Sequence, residues 1–134
     1  MAAKCIHHLG VAVDDLDEAI STYARFLGAE LEGRETQEEQ GVEAASLRVG
    51  PNHVELLAAL GDDTPVGRFL SRRGPGMHHV AYEVDDLTGE LARLEGEGAE
   101  LIDASPRQGL FGMQVAFVHP ESANGVLSEL VARG

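Results

Sequence analysis

Four side chains have types and spacings suited to holding one divalent cation: His8, Glu55, His79 and Glu129. His8 and His79 occupy the same place in two copies of one motif. HHLGVAVDDL at 7–16 and HHVAYEVDDL at 78–87 agree at six of ten positions, with an offset of 71. Glu55 in HVELL and Glu129 in VLSEL lie 74 residues apart, and the difference of three fits one change of loop length. A charged side chain in an apolar strand is costly unless it is paired or bound to metal. A lone strand histidine is more often packed than ligating, but here a histidine and a glutamate recur together. Mixed nitrogen and oxygen donors suit manganese, cobalt, nickel, iron or zinc rather than calcium. Four protein ligands also leave room on an octahedral ion for a substrate that chelates through two oxygens.

The elements that would carry these groups follow from periodicity. Leu9, Val11 and Val13 alternate with His8, Gly10 and Ala12, and Val80, Tyr82 and Val84 alternate with His79, Ala81 and Glu83. Period two puts the first set of each strand on a helix-covered face and the histidine on the other. His7 and His78 then point away and are not expected to ligate. His53 and His119 read as turn or strand-end residues.

After each motif comes a helix. Asp15 and Glu18 have capping-box spacing, and Gly28 ends the first helix. Its apolar stripe is Leu16, Ala19, Ile20, Tyr23, Phe26 and Leu27. In the second copy Leu87, Leu91 and Leu94 form the stripe, and Gly96 or Gly98 stops it. Strands are expected near 29–35, 42–49 and 52–59, then near 99–103, 113–118 and 125–132. Between the copies, Thr64 as N-cap and Pro65 at the first helical position start a short helix packed down by Val66, Phe69 and Leu70.

The expected fold class is therefore α+β, with two paired β-α-β-β-β modules forming one cupped mixed sheet. The modules span 4–60 and 76–132, with a linker helix in 61–75, inside one domain of 134 residues. A chain of this length can bury roughly two-thirds of its unfolded surface, enough for a real core.

Bulk composition excludes some roles. The formal net charge of −13 argues against nucleic acid or an anionic membrane as partner. No apolar run approaches a membrane span, and MAAKCIHHLG lacks the apolar stretch of a signal peptide. Cys5 is the only cysteine, so no internal disulfide can form, and a reducing cytoplasm is the expected location.

The paired modules with a His…Glu metal cup resemble the vicinal oxygen chelate superfamily. Within it, VELLAALGDDTPVGRFLSRRGPGMHHVAYEVDDL is similar to the methylmalonyl-CoA epimerase family, as are IHHLGVAVDDL, the EEQGV segment at 38–42 and the ending HPESANGVLSEL. The resemblance covers nearly the whole chain. It implies His8, Glu55, His79 and Glu129 as metal ligands and a homodimer. It implies inversion of the carbon between the carboxylate and the thioester of methylmalonyl-CoA, through a metal-stabilised enolate. Inversion needs one group to remove the α-proton and another to return it. Some family members carry a glutamate two residues after the Gly-Val of the third segment. Here GVEAASL puts Ala44 in that place, and the neighbouring Glu43 can serve only if the strand is bulged or shifted. Glu129 is the other candidate base. For coenzyme A, the candidate contacts are Arg72, beside Arg68 and Arg73, and Arg107 and Gly109 in the glycine-bearing loop SPRQGLFG. Gln114 on the following strand is a further candidate.

Two other readings compete. One is a different metalloenzyme of the superfamily, such as a glyoxalase I-like lyase; an extradiol dioxygenase usually keeps three protein ligands, against four here. The other is a non-catalytic ligand-binding protein on the same scaffold. Hydrogen exchange at the α-carbon of methylmalonyl-CoA separates the first, and metal content separates the second.

Overall fold

The computed structural model describes residues 3–133. The chain forms two compact units. One comprises residues 8–78; the other comprises the N-terminal segment through His7 together with residues 79 onward. Both divisions fall inside a His-His pair, between His7 and His8 and between His78 and His79.

The first unit contains most of β1 (Cys5–Ala12), then α1 (Leu16–Leu27), β2 (Glu30–Gln37), β3 (Val42–Val49), β4 (Asn52–Ala59) and α2 (Pro65–Arg73). Its strands lie in the order β2-β3-β4-β1. The first two pairings are antiparallel and the β4–β1 pairing is parallel. Leu16, Ala19, Ile20 and Tyr23 of α1 pack with Val11, Val13, Ala45, Leu47, Val54 and Leu56. The Asp15 carboxylate accepts from the Glu18 N–H at 3.0 Å and starts the helix. Gly28 ends it in the left-handed region, with φ of 68°, which a side chain would strain. The expected stripe stops early: Phe26 and Leu27 are exposed. After Gly28 the chain turns back, and Ala29 takes the next buried position instead.

The second unit contains most of β5 (Gly76–Glu83), then α3 (Leu87–Gly96), β6 (Arg107–Gln108), β7 (Met113–Val118) and β8 (Ser128–Arg133). The strand order is β5-β8-β7-β6, with β5–β8 parallel and the rest antiparallel. Leu87 and Leu91, with Leu94 beside them, cover Val84, Ala116, Val118, Leu130 and Ala132. The N-terminal segment joins this unit: the Lys4 N–H donates to the Glu83 carbonyl at 2.8 Å, and its ammonium lies 3.0 Å from Asp85.

Thr64 and Pro65 begin α2 as expected, the Thr64 hydroxyl accepting from the Gly67 N–H at 3.0 Å. The strand expected at 99–103 is reduced to a single bridge, Leu101 to Val118. The cause is local. The Ile102 and Asp103 N–H groups both donate to the Phe117 carbonyl, and the Asp103 carboxylate accepts from the Phe117 N–H. A side chain thus replaces the next ladder bond, and pairing resumes only at β6, after Pro106.

Candidate metal and substrate site

The first unit builds one histidine–glutamate pair from register alone. In the parallel β1–β4 pairing Gly10 is opposite Glu55. His8 is two residues before Gly10, so its side chain leaves the same face. The residue between them is small, and His8 Nδ1 lies 3.3 Å from Glu55 Oε2. The second unit repeats this arrangement. Ala81 is opposite Glu129, His79 lies two residues before Ala81, and His79 Nε2 is 3.1 Å from Glu129 Oε1.

Both pairs are on the face away from the unit's helix. In the first unit α1 covers Ala45, Leu47, Val54 and Leu56, so Ser46 and Glu55 face the other way. In the second unit α3 covers Ala116, Val118, Leu130 and Ala132, which leaves Phe117 and Glu129 opposite it. The four residues are 3, 7, 4 and 7% exposed in the order His8, Glu55, His79, Glu129. An ionised carboxylate so buried costs several kcal/mol unless it finds a countercharge. Buried imidazole and carboxylate donors match the ligand chemistry of a borderline divalent cation, so the residues present fit such a metal. Phe117 meets the His79 ring edge-on, with centroids 5.6 Å apart, and fixes one side of that imidazole.

The other candidates divide by strand parity. Glu43 pairs with Ala58 without a bulge, on the α1 side. Its carboxylate meets Arg34 at 3.0 Å, and Arg34 also bonds Asp17 of α1 at 2.5 Å. These bonds, Asp17 first and Glu43 second, hold the Arg34 guanidinium above its ordinary pKa. The reading of Glu43 as a base is thereby corrected: the shifted strand it required is absent, and the fully buried Ala44 takes the His8–Glu55 face. Gln114 is corrected for the same reason. It is opposite Ala132 on the α3 side and donates to the Gln108 side chain at 3.0 Å. Glu43 and Gln114 are 71 residues apart and are the same repeat position.

Arg107 lies on a short edge strand rather than in a loop. It is opposite Val115, on the face of His79 and Glu129. Its guanidinium sits 5.9 Å from the Phe117 ring centroid and 3.4 Å from Asp103. Gly109 is buried, and a Cβ there would come within 2.4 Å of Val115. The absence of a side chain lets the loop after β6 close onto β7. Arg72 is exposed on α2; its neighbour Arg73 lies over Phe69, which in turn meets His78 edge-on at 5.0 Å. His53 pairs with Glu32 at 3.1 Å, and His119 accepts from the Glu121 N–H to start a short 3-10 turn. Phe117 and Asp103 were missed in the sequence. Counting in twos back from the β7–β8 register would have put Phe117 beside Glu129, but Asp103 carries no such signal.

Known proteins place this arrangement. The model of the glyoxalase/bleomycin resistance protein/dioxygenase superfamily matches residues 7–117. The ethylmalonyl-CoA/methylmalonyl-CoA epimerase of Cereibacter sphaeroides is 35% identical over 127 residues, covering 93% of this chain and 95% of its own. The crystal structure of methylmalonyl-CoA epimerase from Mycobacterium tuberculosis superposes with a TM-score of 0.95 at 36% identity, over 98% of this chain and 89% of that one. A methylmalonyl-CoA epimerase in complex with methylmalonyl-CoA and NH4+ gives 0.95 at 33% identity, over 99% and 96%. The chain belongs to the glyoxalase/bleomycin resistance/dioxygenase superfamily and has its vicinal oxygen chelate fold. Within that class it is a member of the methylmalonyl-CoA epimerase family.

Proposed function

We propose that the protein interconverts (R)- and (S)-methylmalonyl-CoA, with His8, Glu55, His79 and Glu129 as the ligands of one divalent cation. The observation that carries this reading is the repetition of a buried histidine–glutamate pair, at one register position, in a chain of the epimerase family. A cation held there supplies Lewis-acid stabilisation of the negative charge that develops when the α-proton leaves, worth several kcal/mol.

The chain's own groups do the rest. Glu129 removes the α-proton. Burial of both pairs strengthens every charge interaction between them. Arg107, on the face of Glu129 and over the Phe117 ring, meets an anionic or polar part of coenzyme A, as does Arg72 on α2. Gly109 holds the loop that follows Arg107 against β7.

On this reading the chain is one domain, as a homodimer in the cytoplasm, with cobalt, manganese, nickel or zinc at the site. Among the described residues no helix is long and apolar enough to cross a membrane. The test is exchange of the α-hydrogen of methylmalonyl-CoA in deuterated water, with each metal in turn. Metal-dependent exchange with interconversion of the two epimers is expected. A protein that binds metal but leaves the α-hydrogen in place would overturn the reading.

A further inference from the structure

The two repeats differ systematically beside their glutamates. Across the first sheet one continuous row reads Gly33, Ser46, Glu55 and Gly10. Glu55 therefore has no neighbour in its own row larger than a hydroxymethyl group. The equivalent row of the second unit reads Phe117, Glu129 and Ala81. Phe117 lies 71 residues after Ser46, as His79 lies 71 after His8, so the two face their glutamates from one repeat position. One step along the same face, the fully buried Ala44 stands where the second unit has Val115. At three equivalent positions the first unit carries the smaller residue. None of the three is needed for packing by α1, which rests on Ala45, Leu47, Val54 and Leu56 of the other face. Ser46 is half-buried, so it remains within reach of a ligand.

A benzyl group in the second unit thus corresponds to a hydroxymethyl group in the first. Phe117 uses its bulk to hold the His79 ring and to seat Arg107. Beside Glu55, Ser46 puts only a hydroxymethyl group in the place that the ring of Phe117 takes beside Glu129. We infer that Ser46 is a specificity-determining residue: the space it leaves receives the α-alkyl substituent of a malonyl thioester, and admits groups larger than methyl. The inference rests on the proposed epimerase reading and deepens it. One added methylene is worth about 1–3 kcal/mol in an apolar pocket, so a wall placed there changes preference by about tenfold to two-hundredfold.

The test compares methylmalonyl-CoA with ethylmalonyl-CoA on the metal-loaded protein and on Ser46→Phe and Ser46→Ala. The wild type is expected to exchange the α-hydrogen of both thioesters. Ser46→Phe builds the wall of the second repeat into the first. It is expected to lower kcat/KM for both, with a loss for the ethyl compound at least about tenfold greater. Ser46→Ala, which keeps the space and removes the hydroxyl, is expected to keep the wild-type ratio. Equal losses for both thioesters in Ser46→Phe overturn the inference, and so does a ratio shifted as far by alanine as by phenylalanine. Calorimetric binding of the racemic thioesters provides a second readout, because epimerisation leaves a racemate unchanged. If the wild type exchanges neither α-hydrogen, the epimerase reading fails, and selective loss of ethylmalonyl-CoA binding in Ser46→Phe still decides whether Ser46 sets the size limit.

Discussion

Glu55 stands directly across the parallel β1–β4 pairing from Gly10. His8 leaves the strand two residues earlier on the same face, and its imidazole lies 3.3 Å from the carboxylate with only a glycine at the position between them. Ala81, with a single methyl group, stands in the same relation to His79 and Glu129. Enlarging the small residue should therefore separate the pair. Ala81→Leu is expected to lower bound metal per chain and to cost about 1–3 kcal/mol through overpacking. Ala81→Gly copies the first repeat and is expected to keep metal while costing about 0.5–1 kcal/mol of strand stability. Metal analysis with a denaturation curve on each variant checks this. Full metal content in Ala81→Leu would mean that the small residue is incidental.

Burial of the carboxylates makes a second prediction, with a sign that depends on metal. A metal ligand that binds only the folded chain stabilises it by about 2.7 kcal/mol at a hundred times its dissociation constant. Chelation is therefore expected to lower the melting temperature of the wild type. Glu129→Gln removes a buried charge, 7% exposed in the wild type, and weakens the ligand set. In excess metal it is expected to be less stable than the wild type. After chelation it is expected to match or exceed it, because a buried carboxylate no longer has to be held charged. The same order of stability under both conditions would count against metal ligation by Glu129.

Glu43 supplies a third prediction, of a small effect on rate. Its carboxylate is bound to Arg34 on the α1 side, away from His8 and Glu55. Glu43→Gln should leave α-hydrogen exchange within about twofold of wild type, since exposed ion pairs of this kind contribute little. The melting temperature should fall only slightly, and Asp17 still holds Arg34. A loss of several orders of magnitude in kcat would restore Glu43 as a base and require the strand to shift when substrate binds.

How much of this was visible in the sequence depends on which physical rule governed each residue. Period-two alternation sorted His8 from His7 and His79 from His78, because a strand has no other freedom at those positions. Helix starts at Asp15 and Thr64 were legible because capping chemistry is local. Parity also warned that Glu43 and Ala44 could not share a face. The missed features are those set by distant partners. The segment at 99–103 has strand-like residues, but Asp103 bonds the Phe117 backbone and takes the place of a ladder bond. Phe26 and Leu27 continue the α1 stripe, yet the turn at Gly28 gives their buried place to Ala29. The side to which Gln114 points is set by its pairing with Ala132, which no local pattern carries.

Arg107 carries the last prediction. It is half-buried on the edge strand β6, on the same face as Glu129, with its guanidinium over Phe117 and near Asp103. A planar cation already held near Phe117 and Asp103 loses little freedom on meeting a carboxylate or phosphate oxygen. Arg107→Gln should therefore raise KM for methylmalonyl-CoA by about tenfold or more, as loss of a charge-assisted bond costs about 1.5–3 kcal/mol. Its effect on kcat should be much smaller, because the proton-transfer groups are untouched. Arg107→Lys keeps the charge and loses the planar fork of donors, and should recover only part of the affinity. Raising the ionic strength should weaken binding to the wild type more than to Arg107→Gln. Steady-state kinetics at two salt concentrations reads all three effects. A fall in kcat at constant KM would move Arg107 from binding the coenzyme to assisting the chemistry.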